Sequence, residues 1–232
     1  MTPLDRPRAT RVWMFLRLAM AALIVAAVIA QLVVTISGAV EAGRDVTTTA
    51  VNFFSFFTIL SNVSAAVVLT WSAIDYFRHP TAQPESAAVG TLLVCVTTYM
   101  IVTGVVYNLL LRQIELPQGT TVPWSNEVLH LVGPLFLLAD LLLAFTRRRP
   151  AWKTVGIVAI FPIVWIAYTL IRGGLVTNPA TGDPWWYPYP FLNPHVVAGG
   201  WAGVIAYSIG IAVALLAAAT AIVAWNRRRG IR

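Results

Sequence analysis

Residues 52–62 read NFFSFFTILSN, and this stretch decides what kind of molecule the chain makes. Four phenylalanines with Ile59 and Leu60 make it apolar, yet Ser55, Thr58, Ser61 and Asn62 sit among them. Hydroxyls and amides cost free energy in hydrocarbon unless something pairs them. Polar groups at helical spacing in such a run therefore mark the inward-facing stripe of a membrane-spanning helix.

The rest of the chain agrees. Of its 232 residues 58% are hydrophobic and only 11% charged, with a mean hydropathy of +0.75. A soluble domain carries about a quarter charged residues, so the bilayer supplies the apolar surroundings here. Six windows reach the roughly 20 apolar residues a crossing helix needs, near 12–37, 52–74, 87–112, 125–146, 152–172 and 197–225. The expected fold is an all-α integral membrane bundle of six transmembrane helices, a single domain over 1–232. The first window is too long for the apolar core of a secretory signal and is read as a retained helix.

The formal charge of +7 does not point to nucleic acid, because no compact basic domain exists to hold it. If the six windows alternate in direction, 13 of the 16 basic residues fall at the end that carries both termini, leaving Arg44, Arg112 and Arg172 at the other. Basic residues beside apolar spans mark the cytoplasmic side, so both termini are expected in the cytoplasm and the chain in the cell membrane. Cys95 is the single cysteine, which rules out an internal disulfide.

The outer loops are then 38–51, 113–124 and 173–196. The last reads GGLVTNPATGDPWWYPYPFLNPHV, whose prolines forbid a continuous helix. Trp185, Trp186, Tyr187, Tyr189 and Phe191 suit the headgroup boundary, either as an anchor or as a cap on the outer face.

Thr58 lies six residues past Asn52, and His130 six past Trp124, so each is about 9 Å below the outer boundary at the helical rise. Ser55, Thr58 and Asn62 share one helix face; Asn126, His130 and Pro134 repeat at four-residue spacing on another. Tyr107 and Asn108 come from the third span, Tyr168, Thr169 and Arg172 from the fifth, and His195 precedes the sixth. The first span is nearly bare of such groups. Asp140, toward the inner end, is expected to pair with a basic residue there.

A threonine in a membrane helix commonly bonds the carbonyl a turn back, and Asn62 and Asn126 suit interhelical pairing. A histidine inside a span is by default a functional candidate. Thr58 is a poor nucleophile unless a base adjoins it, and His130 can be that base. Asn62, Asn126, Tyr168 or a backbone N–H could face a developing oxyanion, and Glu127 is the one acid at a depth to orient the imidazole. Arg172 could snorkel or hold an anion. Three zinc ligands do not assemble readily from His130, His195 and an acid, so no metal and no cofactor is expected.

The segments NFFSFFTILSN, NEVLHLVGPLF, FPIVWIAYTLIRG and WWYPYPFLNP together resemble the bacterial six-span Pr6Pr membrane protein family. They are more distantly similar to the animal androgen-induced membrane hydrolases, six-span threonine hydrolases that cleave fatty acid esters of hydroxy fatty acids. The resemblance implies Thr58 as nucleophile and His130, four residues after Asn126 and before Pro134, as its histidine. The family's W-x-YPF motif is matched with an offset by Trp186, Tyr189, Pro190 and Phe191, and Glu127 stands where the family has a second histidine.

The first reading is thus a hydrolase of lipophilic fatty acyl esters working in the outer half of the bilayer. Thr58 and His130 are catalytic, with Asn62, Asn126, Asn108, Tyr168, Arg172, Trp186 and Tyr189 as substrate or oxyanion groups. Its partners are the lipid bilayer and a lipophilic small molecule. The alternative is a non-enzymatic binding or transport protein for a small lipidic or anionic ligand near Arg172. Orientation is directly testable: a fluorescent protein fused after Arg232 should fluoresce and a phosphatase inserted at Thr181 should be active. The opposite pattern would reverse the topology.

Overall fold

The computed structural model describes residues 5–79, 84–114 and 121–230. Arg232 and residues 115–120 of the expected 113–124 loop lie outside them. Every regular element in the described residues is helical: α1 (Asp5–Glu41), α2 (Val46–Phe53), α3 (Phe57–Arg78), α4 (Ala87–Val106), α5 (Pro123–Glu127), α6 (Gly133–Leu143), α7 (Thr154–Gly173) and α8 (Trp201–Arg229). Wide π turns extend α4 over Tyr107–Leu111 and join α5 to α6 over Val128–Val132. Among the described residues six helices are then long and apolar enough to cross a membrane: Pro7–Glu41, Phe57–Arg78, Ala87–Leu111, Pro123–Leu143, Thr154–Gly173 and Trp201–Arg229. The chain is a multi-pass membrane protein.

The expected second span does not begin at Asn52. The chain instead turns at residues 54–56 between α2 and α3, with Phe56 in an extended conformation. Ser55 donates its hydroxyl to the Val51 carbonyl, while Trp165 Nε1 donates to the Ser55 carbonyl at 3.0 Å. The aromatic run is a helix junction, stabilised because α7 supplies the donor that the interrupted ladder lacks.

α4 is the central helix, packed against α3, α6, α7 and α8. α7 and α8 are the least enclosed and turn apolar faces outward, through Ile163, Val164 and Ile171 on one and Ile205, Ile209 and Val213 on the other. Helices apolar all round belong where hydrocarbon is the solvent. At the far end from the termini, the 173–196 segment folds inward. Trp186, Tyr187, Tyr189 and Phe191, placed by the sequence at the headgroup boundary, are buried. Trp186 and Tyr189 meet Phe56 edge-on at 5.6 and 5.5 Å, and Trp186 N–H donates to the Gly173 carbonyl. Gly173 permits this close approach, since a Cβ there would collide with the Tyr187 ring.

The other end is held by charge. Asp140 of α6 has two basic partners. Arg17 of α1 reaches its two oxygens through Nε at 2.6 Å and Nη2 at 3.0 Å, and Arg147 Nη2 donates at 2.7 Å. Trp13 Nε1 also donates to Asp140, and Arg17 donates to Ser72 of α3. Arg17 and Asp140 are fully buried. Arg17, counted by the sequence only as an orienting charge, is the largest fully buried side chain. The first span also serves the opposite end, where it was expected to be nearly bare: Gln31 accepts the Val122 N–H and the Ala27 carbonyl accepts the Ser125 hydroxyl.

Removing one member of a buried ion pair leaves its partner charged in a low dielectric, which costs about 3–5 kcal/mol. Asp140→Ala strands two guanidiniums and should sharply lower the thermal midpoint of the detergent-solubilised protein. An unchanged midpoint would show that this cluster does not hold α1 to α6.

Candidate functional site

Thr58 is the second residue of α3, placed there by the turn at 54–56. First-turn N–H groups of a helix have no intrahelical acceptor, and Phe56 offers no capping side chain. Tyr189 from the inward-folded segment takes that place: its hydroxyl accepts the Thr58 N–H at 3.2 Å and lies 3.2 Å from Thr58 Oγ1. Burial pushes the Tyr189 phenol above its ordinary pKa, so it remains a neutral O–H donor.

His130 lies in the middle of the Val128–Val132 π turn. In an α-helix the Leu129 carbonyl would accept the N–H of Gly133, and the His130 carbonyl that of residue 134. Gly133 N–H goes instead to Val128, and Pro134 has no N–H to give. Both carbonyls therefore lose their α-helical donors, and two asparagines replace them. Asn62 Nδ2 donates to the Leu129 carbonyl at 3.1 Å and to the Thr58 carbonyl at 2.9 Å. Asn108 Nδ2 donates to the His130 carbonyl at 3.3 Å and to that of Gly104 at 2.8 Å. Gly104 lets α4 come this close, because a Cβ there would lie 2.9 Å from Pro134 Cβ.

The imidazole is fixed on both sides. Its Nδ1 lies 3.0 Å from the Asn126 carbonyl, an acceptor only, so Nδ1 carries the proton and Nε2 presents its lone pair. Nε2 is 3.3 Å from Thr58 Oγ1. Tyr107 stacks on the ring at 3.8 Å between centroids, and Asn126 Nδ2 donates to the Tyr107 hydroxyl at 2.5 Å. The group that orients the histidine is thus a backbone carbonyl. Glu127, the acid suggested by depth, is paired with Arg112 at 3.0 Å on the surface.

Thr58, Tyr107 and Tyr189 form one wall of a cavity of about 200 Å³ between α4, α7, α8 and the inward-folded segment. Its other walls are almost wholly apolar, among them Val102, Pro162, Trp165, Phe191 and Ile211. Ile163 and Leu216, exposed on the outer faces of α7 and α8, belong to the same lining, so the cavity reaches the flank of the bundle.

Of the residues named from the sequence, Thr58, His130, Asn62, Asn126, Asn108 and Tyr189 converge. Three do not join them. Tyr168 pairs with the Ser55 hydroxyl at 3.0 Å, while Arg172 donates to Asn52 Oδ1 at 2.8 Å and lies over the Trp186 ring at 5.5 Å. Asn62 and Asn108 place their amide hydrogens on backbone carbonyls. Their place in the site is to position the histidine segment. Ser208 of α8 was not singled out, yet it lines the cavity with a hydroxyl that has no partner among the described residues. The signal was present as the one serine of a largely apolar span.

Comparison with protein families, curated proteins and solved structures finds no match to this chain.

An unsatisfied buried acceptor costs about 1–3 kcal/mol. Asn62→Leu, which strands the Leu129 carbonyl, should lower the thermal midpoint, whereas an unchanged midpoint would mean another donor reaches that carbonyl.

Proposed function

We propose that the protein is a membrane hydrolase of lipophilic fatty acyl esters, with Thr58 as nucleophile and His130 as base. The observation that carries this reading is the 3.3 Å approach of Thr58 Oγ1 to the unprotonated His130 Nε2 at the wall of an apolar cavity. The resemblance to the Pr6Pr family and to the androgen-induced threonine hydrolases favours the same pair. A lipophile enters sideways between α7 and α8, past Ile163 and Leu216, and lays its acyl chain along the cavity. Both termini face the cytoplasm, so the site lies in the outer half of the cell membrane.

Chemistry then follows from the hydrogen bonds. Thr58 gives its proton to Nε2 as Oγ1 attacks the ester carbonyl, and the tetrahedral oxyanion takes a hydrogen bond from Tyr189. The intermediate collapses, the alcohol leaves with the proton from His130, and an acyl-threonine ester remains. Water, deprotonated by the same histidine, releases the fatty acid and restores Thr58.

A fluorophosphonate probe tests the nucleophile. Thr58→Ala and His130→Ala should each lose labelling at unchanged expression, and Tyr189→Phe should slow ester turnover about a hundredfold. Labelling retained in both alanine variants removes the mechanism. Lipid esters retained but never cleaved by the wild type would leave a binding protein in its place.

A further inference from the structure

A second cavity, of about 560 Å³, lies at the end that carries the termini, between the C-terminal turns of α6 and α8 and the start of α1. Leu142, Leu143 and Phe145 form its apolar side and are exposed on the bundle flank. Arg147, Asn226 and Arg229 form its polar side.

Arg147 is only 4% exposed and is incompletely used. Nη2 donates to Asp140 and to Thr97, while Nε and Nη1 have no hydrogen-bond partner among the described residues. Asp140 is already held at both oxygens by Arg17, so one carboxylate serves two guanidiniums. Glu85, the other buried acid among the described residues, lies 3.7 Å from Arg17 and interacts with Arg147 through charge without a direct ion pair, so no hydrogen bond from Glu85 uses Arg147's remaining donors. Arg229 has no carboxylate partner among the described residues; it rests over Trp225 at 5.1 Å and donates one N–H to the Leu142 carbonyl. Asn226 is buried, and its side-chain amide makes no hydrogen bond among the described residues. Helix C-termini repel anions, but the Leu142 carbonyl is covered by Arg229 and that of Asn226 by the Gly230 N–H.

Arg147, held through Nη2 alone, and Arg229, exposed at the rim with one N–H used on a carbonyl, call for an anion with several acceptor oxygens. We propose that this cavity binds a phosphate group, carried by an anionic phospholipid of the leaflet at this end. The headgroup lies against Arg147, Asn226 and Arg229, and an acyl chain runs along Leu142, Leu143 and Phe145. The apolar flank favours a lipid over free phosphate, which would leave that side of the cavity uncovered. This site shares no residue with the Thr58 pair and stands independently of the hydrolase reading.

Native mass spectrometry of the purified full chain tests it with three probes: phosphatidylglycerol, phosphatidylcholine and inorganic phosphate. Phosphatidylcholine carries the same phosphate with a compensating cation, which Arg229 disfavours. Phosphatidylglycerol should be retained over phosphatidylcholine, and Arg147→Gln should weaken it about tenfold. Because Arg147→Gln also disturbs Asp140, Ala144→Trp provides a second variant: it fills the cavity without touching the ion cluster and should weaken binding equally. If inorganic phosphate displaces the lipid and is itself lost in both variants, the site stands with free phosphate as its source. Equal retention of the two lipids, or wild-type phosphatidylglycerol binding by Ala144→Trp, overturns the proposal.

Discussion

Backbone carbonyls cannot be left bare in hydrocarbon, and the architecture around His130 answers that constraint. Pro134 and the π turn together release two carbonyls, at Leu129 and His130, on one side of the fourth crossing helix. Water could satisfy them at a surface. Inside the bundle the donors must come from neighbouring helices, and Asn62 on α3 and Asn108 beside α4 supply them. The same bonds that satisfy the backbone therefore fix where the imidazole stands relative to Thr58. π turns recur at functional sites for this reason: they turn a side chain out of register while creating anchoring points for the partners that hold it.

Much of this arrangement could be read from composition and spacing. Six spans follow from apolar length alone, and the matched places of Thr58 and His130 in the second and fourth spans pointed to their contact, although the helical rise counted from Asn52 is broken by the turn at 54–56. What escaped was anything that depends on a departure from ideal helix geometry. The FSF turn at 54–56 looks like span interior because phenylalanine carries no breaking signal; it turns because Trp165 and Tyr168, distant in sequence, receive Ser55 there. The π turn has no signature except Pro134. The aromatic segment at 185–191 was read on residue type as an anchor or a cap at the outer face, whereas the burial of residues 186, 187, 189 and 191 follows from partners such as Phe56 and the first turn of α3. Arg17 was likewise counted as an orienting charge, since a sequence does not say that Asp140 lies opposite it.

The two ends of the bundle solve different problems. At the termini end, buried charge is neutralised by charge, so α1, α3 and α6 are tied by interactions that are costly to break one at a time. Around Thr58 and His130 at the aromatic end the contacting groups are hydroxyl, amide and imidazole, which share hydrogen bonds of 2.5 to 3.3 Å among stacked rings, while the charged Arg172 and the Arg112–Glu127 pair stand aside. Neutral groups suit a site that an uncharged lipophile must enter, because no ion has to be stripped of its partner for the ligand to arrive.

Mobility can be placed by the same logic. α1, α3, α4 and α6 are cross-linked by ion pairs and asparagine amides, whereas among the described residues no hydrogen bond joins α7 to α8: α7 bonds to Tyr99 and, through Trp165, Tyr168 and Arg172, to Ser55 and Asn52, and α8 reaches the Leu142 carbonyl through Arg229. Low local density of polar cross-links is where a fold opens at least cost. The cavity beside Thr58 is bounded by these two helices, and its lining reaches the flank through their residues Ile163 and Leu216. A bundle that had to keep Thr58 and His130 in register while admitting a bulky ligand would need its rigid and yielding helices divided in this way. Separation of α7 from α8 widens the cavity without disturbing Asn62, Asn108 or the histidine they position.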